Sequence, residues 1–263
     1  MEALMIIGAY QFAVTGKIKD NLKIIKKAII EAASQNVKLL VFPECALTGY
    51  PPRDIASSDA INFHEVEVSL KQLQDMAVSN TMHIVVGSIT KNEGRHYNSA
   101  VVCTPDRKQI MYHKRALWGW DKDNFCAGNS LGVFQIKDMK IGIRICYEVR
   151  FPEFFRELYR ENTDLNVILF YDVSDHDDTE RYEMIKSHIR TRAVENVCHT
   201  LTVNTTKPYQ TAPSALYNKS AYSLAELKRN EEALLLYDLQ DMTLDFGEQG
   251  RKEISDLFLL QKH

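Results

Sequence analysis

Glu44, Lys114 and Cys146 each close a short stretch that reads as a strand: Val41-Phe42-Pro43 before the carboxylate, Tyr112-His113 before the ammonium, Ile143-Arg144-Ile145 before the thiol. Residues just past strand ends border the crevice where open α/β sheets bind ligands. A carboxylate, an ammonium and a thiol meeting there have the parts for nucleophilic attack on an acyl carbon. A thiol with a pKa of about 8.5 is mostly protonated at neutral pH, and apolar surroundings raise it further. It therefore needs a base within hydrogen-bond reach. A partly buried Glu44 suits that task, because desolvation lifts a carboxylate toward the range where it takes and returns protons. Lys114, kept charged by neighbouring acids, would stabilise the oxygen that turns negative when sulfur attacks an amide carbon. The backbone N–H of Tyr147 would be the second donor to that oxygen. No step of this chemistry calls for a metal or an organic cofactor.

Each residue alone has a plainer reading. A Cys that ends an apolar strand is ordinarily a small buried hydrophobe. Glu44 alone reads as a solvated loop acid, and Lys114 beside Arg115 as surface charge. The surrounding letters change this. Ile143 to Glu153 spells a strand, a tight turn and a helix opened by Pro152, the geometry that lifts a nucleophile out of a sheet. The segment resembles the cysteine motif of the nitrilase (carbon–nitrogen hydrolase) superfamily. Val41-Phe42-Pro43-Glu44 resembles that family's glutamate motif, and Tyr112-His113-Lys114-Arg115 its lysine motif. Residues 190–196 are similar to its long helix after the nucleophile, 214–225 to its small hairpin and 250–257 to its C-terminal arm.

This resemblance implies a four-layer αββα sandwich, with two mixed sheets face to face and helices on both outer faces. It implies one carbon–nitrogen hydrolase domain over residues 1–263, of the amidase-like branch, usually paired through one face into a homodimer. The expected reaction is hydrolysis of a small carboxamide, an ω-amide of a dicarboxylic acid or a carbamoyl compound, to an acid and ammonia. Nitrile hydrolysis ranks second, since the chain lacks the C-terminal extension that nitrile-hydrolysing members commonly carry. The synthetase-fused and lipid-acyltransferase branches do not fit the length or the absence of membrane helices, whereas delivery of ammonia to a separate partner stays open.

One departure stands out. The family usually has a second glutamate in the loop after the lysine, and the best match here is Asp121, four residues before Phe125. An aspartate reaches about 1.3 Å less, and misplacement of that size can cost on the order of 10²-fold in rate. Either the loop moves inward, or the pocket is altered, or activity is poor. The other reading makes Asp121 a solvated loop acid. Tyr50, Trp118 and Tyr171, with Trp120, follow strand ends and are expected to line a pocket or to cap the core. Asp172 would read an amine on a substrate or satisfy a loop backbone.

The elements that must position these residues alternate short apolar runs with amphipathic stretches. Strands are predicted over 5–12, 38–42, 83–89, 98–103, 109–112, 141–145, 165–171 and 198–204, then 214–217, 221–227 and 234–239. Leu22, Ile25, Ala28, Ile29 and Ala32 mark one helix, Leu70, Leu73 and Ala77 a second, and Tyr182, Ile185, Ile189 and Ala193 a third. Asp177 and Glu180 have the spacing of a capping box for the third. Crossover helices followed by late hairpins suggest two packed sheets with outer helices.

Composition narrows the class further. The 263 residues should bury roughly three quarters of their unfolded surface, so no disulfide or metal is needed for a core. The 32 basic and 35 acidic residues leave a charge of −3, without the basic face that a nucleic-acid partner requires. No apolar run approaches the roughly 20 residues of a membrane helix. The chain opens without a cationic, cleavable leader, and its five cysteines have no paired spacing, so a cytoplasmic location is expected. Three rival readings remain. His176-Asp177-Asp178 with Asp172 and His188 offers ligands for a metal hydrolase. His113, His188 or His199 would serve a cysteine–histidine protease. A degenerate, non-catalytic ligand-binding member has Asp121 as its sequence support.

Overall fold

The computed structural model describes residues 5–240 and 242–260. Two six-stranded mixed sheets form its frame. The first runs β14 (Ala233–Leu239), β1 (Met5–Gln11), β2 (Leu39–Val41), β3 (His83–Asn92), β4 (Arg95–Cys103), β5 (Gln109–His113). The second runs β13 (Ser223–Glu226), β12 (Ala215–Tyr217), β10 (His199–Asn204), β8 (Leu165–Phe170), β7 (Met139–Ile145), β6 (Val133–Ile136). A small ribbon pairs β9 (Val173–Ser174) with β11 (Tyr209–Gln210). In each sheet three central strands are parallel, β1–β2–β3 and β10–β8–β7, and the flanking pairs are antiparallel.

The burial pattern explains the layering. Side chains alternate across a strand, so Leu165, Val167 and Leu169 of β8 enter the layer between the sheets, where they meet Ile7, Val41 and Val85. Ile168 and Phe170 face the other way and pack under α4 (Pro152–Arg160) and α5 (Thr179–Glu195). On the far side Ile84, Val86 and Val101 pack under α1 (Ile18–Ser34) and α2 (Phe63–Ser79). Strands covered on both faces read as near-continuous apolar runs rather than alternating ones, which is why 165–170 is legible as a strand. The result is the helix–sheet–sheet–helix order expected from the sequence.

Four elements carry something that the sequence reading did not give. The cap of α5 is Asp178, which accepts from Arg181 N at 2.9 Å; Asp177 pairs with Arg229 at 2.8 Å instead. The short strand β6 and the single-turn helix α3 (Trp120–Asn124) have too few residues for any periodicity to show. The C-terminal arm is a helix, α6 (Phe246–Leu259), with Ile254, Leu257 and Phe258 facing outward and only Glu248 buried. An apolar stripe that does not meet the chain's own core gives no core-facing signal. A capping box closes its start: Asp245 Oδ1 accepts from Glu248 N at 2.7 Å, and Glu248 Oε2 accepts from Asp245 N at 3.1 Å.

Candidate active site

The carboxyl ends of β2, β7 and β8 meet where the two sheets face each other. The chain leaves β2 through Pro43 and passes directly over Gly87 of β3. A Cβ at Gly87 would lie 2.2 Å from Pro43 O and 2.6 Å from Glu44 Cα, so only glycine lets this loop sit down. Glu44 N then donates to Phe170 O of the second sheet at 3.3 Å, and Tyr171 N donates back to Glu44 Oε2 at 2.8 Å. Glu44 thus stitches the sheets together while its other oxygen turns inward.

Glu44 Oε1 accepts from Lys114 Nζ at 2.9 Å and from Asn98 Nδ2 at 2.7 Å. Lys114 Nζ also donates to Asp121 Oδ2 at 2.8 Å, and Tyr50 OH donates to Asp121 Oδ1 at 2.6 Å. Glu44, Lys114 and Asp121 are all nearly fully buried. Desolvation holds the Glu44 carboxyl above its ordinary range against the opposing pull of Lys114. Burial works against the charge of Lys114, but the fields of the Glu44 and Asp121 carboxylates outweigh it and keep the ammonium charged. The shorter reach of Asp121 is met by α3, which carries it into contact with Lys114.

Cys146 begins a tight 3₁₀ turn, Cys146–Arg150, directly after β7. Its φ is +46°, a left-handed conformation that costs an L-residue about 1–2 kcal/mol. That turn lifts the thiol off the sheet into a cleft of about 470 Å³ shared with Lys114, Asp121 and Tyr147. Burial and the charge of Glu44 push the thiol well above its ordinary pKa, while Lys114 draws it down. Sulfur there is a thiol awaiting a base rather than a standing thiolate.

The cleft wall is aromatic. Tyr50 and Tyr171 stack with centroids 5.0 Å apart, and Asp54 fixes both, accepting from Tyr50 N at 2.8 Å and from Tyr171 OH at 2.9 Å. Trp118 stands at the rim, 70% exposed, whereas Trp120 leaves the cleft to pack edge-on against Phe125. Asp172 also lines the cleft, and its carboxylate already has three donors. It accepts from Arg181 Nε at 2.9 Å and Nη2 at 3.1 Å, and from the Thr211 hydroxyl. Arg181, thus oriented, lines the cleft together with Arg150. Among the described residues the Arg150 guanidinium has no ion-pair partner; it lies over the Tyr147 ring at 5.9 Å.

Sequence reasoning missed Asn98, Arg150 and Arg181. Arg150 was visible as a cation inside the cysteine motif. Asn98 would show only as a polar residue within a buried strand pattern. The rival constellations fall apart in space. Asp178 caps α5, His176 meets Ser174, and His188 bonds the Met184 carbonyl of its own helix. Among the described residues no three His, Cys, Asp or Glu side chains cluster as metal ligands. His113 bonds Ser99 at 2.7 Å and stacks on Tyr97, and His199 is buried with its pKa pulled down to about 4.

Two facing sheets that present a paired carboxylate and ammonium beside a thiol on a strained turn define a hydrolase with a cysteine nucleophile. Residues 6–245 match the carbon-nitrogen hydrolase family, and the chain belongs to it. A 2-oxoglutaramate amidase of Bacillus subtilis is 30% identical over 207 residues, 76% of each chain. An (R)-stereoselective amidase of a Pseudomonas species is 27% identical over 175 residues, 66% of this chain; the match spans 61% of that relative's length. An amidase from Nesterenkonia sp. superposes with a TM-score of 0.80 at 23% identity, covering 98% of both chains. No helix among the described residues is long and apolar enough to cross a membrane.

Proposed function

We propose that this chain is an amidase that hydrolyses a small carboxamide to an acid and ammonia through a Cys146 thioester. The observation that carries it is the ammonium of Lys114 held between Glu44 and Asp121 beside the Cys146 thiol. Glu44 accepts the thiol proton as sulfur attacks the amide carbon. The oxygen, now negative, is met by Lys114 and the Tyr147 amide, an arrangement in which each donor is worth about 3 kcal/mol. Glu44 passes its proton to the nitrogen, the C–N bond breaks and ammonia leaves. Glu44 then deprotonates a water that attacks the thioester, and the proton returns to sulfur as the acid departs. Asp121, fixed by Tyr50, positions Lys114 opposite Glu44. Release of ammonia from a panel of small amides, ω-amides, ureido acids and nitriles tests the reading, and a nitrile as the only substrate would replace it.

Arg150 and Arg181 support an amide that also bears a carboxylate, such as the ω-amide of a dicarboxylic acid. Their positions in the cleft leave one cation without a counter-charge. In Arg150→Ala, kcat/KM on such an ω-amide is expected to fall about 10–100-fold, with a neutral amide of equal size changed less than threefold. Equal losses on both would take Arg150 out of substrate recognition.

The pH profile follows from Glu44. Its carboxyl lies above the ordinary 4.5 because it is desolvated, and it must be ionised to act, so the acid limb of kcat/KM sits above that value. The bond from Asn98 favours the ionised form. Asn98→Leu is therefore expected to move the acid limb upward; an unmoved or lowered limb would separate that limb from Glu44.

The proposal extends to one domain over residues 1–263, a homodimer and a cytoplasmic location. Five free thiols support the last. The outward apolar face of α6 supports a paired state.

A further inference from the structure

We infer that Glu148 is a positioning residue that holds the ammonium loop and the nucleophile turn in register, an inference that rests on the amidase reading above. Lys114 follows β5 of the first sheet and Cys146 follows β7 of the second, so no strand ladder sets the distance between them. Glu148 spans that gap. It lies inside the turn begun by Cys146 and is 0% exposed. Its Oε1 accepts from Arg115 N at 2.7 Å and, more weakly, from Ala116 N at 3.4 Å. Its Oε2 accepts from Ile145 N at 2.7 Å, and Tyr112 OH lies 2.8 Å from each oxygen.

Arg115 is the residue after Lys114, and Ile145 is the residue before Cys146. One carboxylate therefore grips the main chain one step past the ammonium and one step before the thiol. Every group that reaches it is a donor: three backbone amides and a phenol. An ionised carboxylate is acceptor-only and satisfies all of them at once. The amide of a glutamine would turn an NH₂ against at least one N–H. Two cations lie nearby: Arg115, which pairs with Glu157 and also feels the field of Glu148, and Arg144, 5.6 Å from the Tyr112 ring centre. Glu148 does not line the cleft and has no bond to the side chains of Glu44, Lys114 or Cys146. Its influence on the reaction runs through the backbone it holds.

The test uses two readouts, amide turnover and the pH dependence of Cys146 alkylation by iodoacetamide, followed by peptide mass mapping. In Glu148→Gln, kcat is expected to fall about 10²-fold with KM within about threefold, because misplacement by about an ångström costs that much. The alkylation profile should move to higher pH, as Lys114 no longer faces the sulfur squarely. Tyr112→Phe removes the phenol but neither main-chain grip, and is expected to stay within about threefold of the parent. If Glu148→Gln does not fold, Glu148→Asp keeps the charge with a shorter reach and is expected to show the same displaced profile. A parental kcat and alkylation profile in a folded Glu148 variant would overturn the inference, as would losses that only track the fraction unfolded by circular dichroism. If the parent releases ammonia from no amide, the amidase reading fails, and the alkylation profile still decides the role of Glu148.

Discussion

A Lys114→Met variant is expected to lose both turnover and about 3–5 kcal/mol of stability, because it leaves two buried carboxylates without their shared cation. Lys114 Nζ is bonded to Glu44 at 2.9 Å and to Asp121 at 2.8 Å, and all three groups are out of water. Methionine fills most of the volume, so the loss is electrostatic rather than a cavity. The sign of its pH dependence follows from Glu44. Burial already raises that carboxyl, and the charge and hydrogen bond of Lys114 are what hold it down. Without them its folded pKa climbs further above the unfolded value. A group of this kind contributes its stability below the unfolded pKa and loses it as pH rises through the folded one. Urea denaturation of Lys114→Met is therefore expected to show a larger deficit at pH 7.5 than at pH 5. A deficit that is absent, or larger at the acid end, would mean that the two acids are not held as a charged set by this lysine.

Cys146→Ala is expected to abolish measurable amide hydrolysis, a loss of about 10⁴–10⁶-fold, since the remaining groups have no nucleophile to activate. The turn makes a second, independent statement about the same position. With φ at +46°, Cys146 carries strain that alanine keeps and glycine relieves. Cys146→Gly is therefore expected to be equally inactive and at least as stable as Cys146→Ala, by about 1 kcal/mol in a thermal or urea titration. The ordinary expectation runs the other way, because glycine in regular backbone costs entropy. Residual ammonia release in Cys146→Ala would move the nucleophile elsewhere. A glycine variant clearly weaker than the alanine one would show that the turn is unstrained at this residue.

Glu44, Lys114 and Cys146 were legible because each follows an apolar run and carries a local motif. Such motifs are written in contiguous letters, and the physics behind them is local: a Pro-opened helix after a tight turn, a strand stopped by Pro43. The layered fold was legible for a related reason. Strands such as 165–170 and helices such as 182–193 bury so much of their surface that their periodicity survives in one dimension. Asp121 was partly legible, as an acid in the right loop but of the wrong length, and no spacing could say whether α3 would carry it to Lys114.

What the chain determined by itself is the set of reactive groups and the elements that end in them, since both depend on neighbours within a few residues. Their partners come from other elements of the fold, and only the tertiary arrangement of those elements selects them. Pairing within the first sheet draws Asn98 onto Glu44, α5 and the loop after β11 bring Arg181 and Thr211 to Asp172, and the packing of one sheet on the other stacks Tyr50 on Tyr171 over Asp54. The packing also closes Glu148 around the backbone of the segments that carry Lys114 and Cys146. The bonds from Tyr112 to Glu148 and from Tyr171 to Glu44 join groups 36 and 127 residues apart, and no local pattern records such a distance.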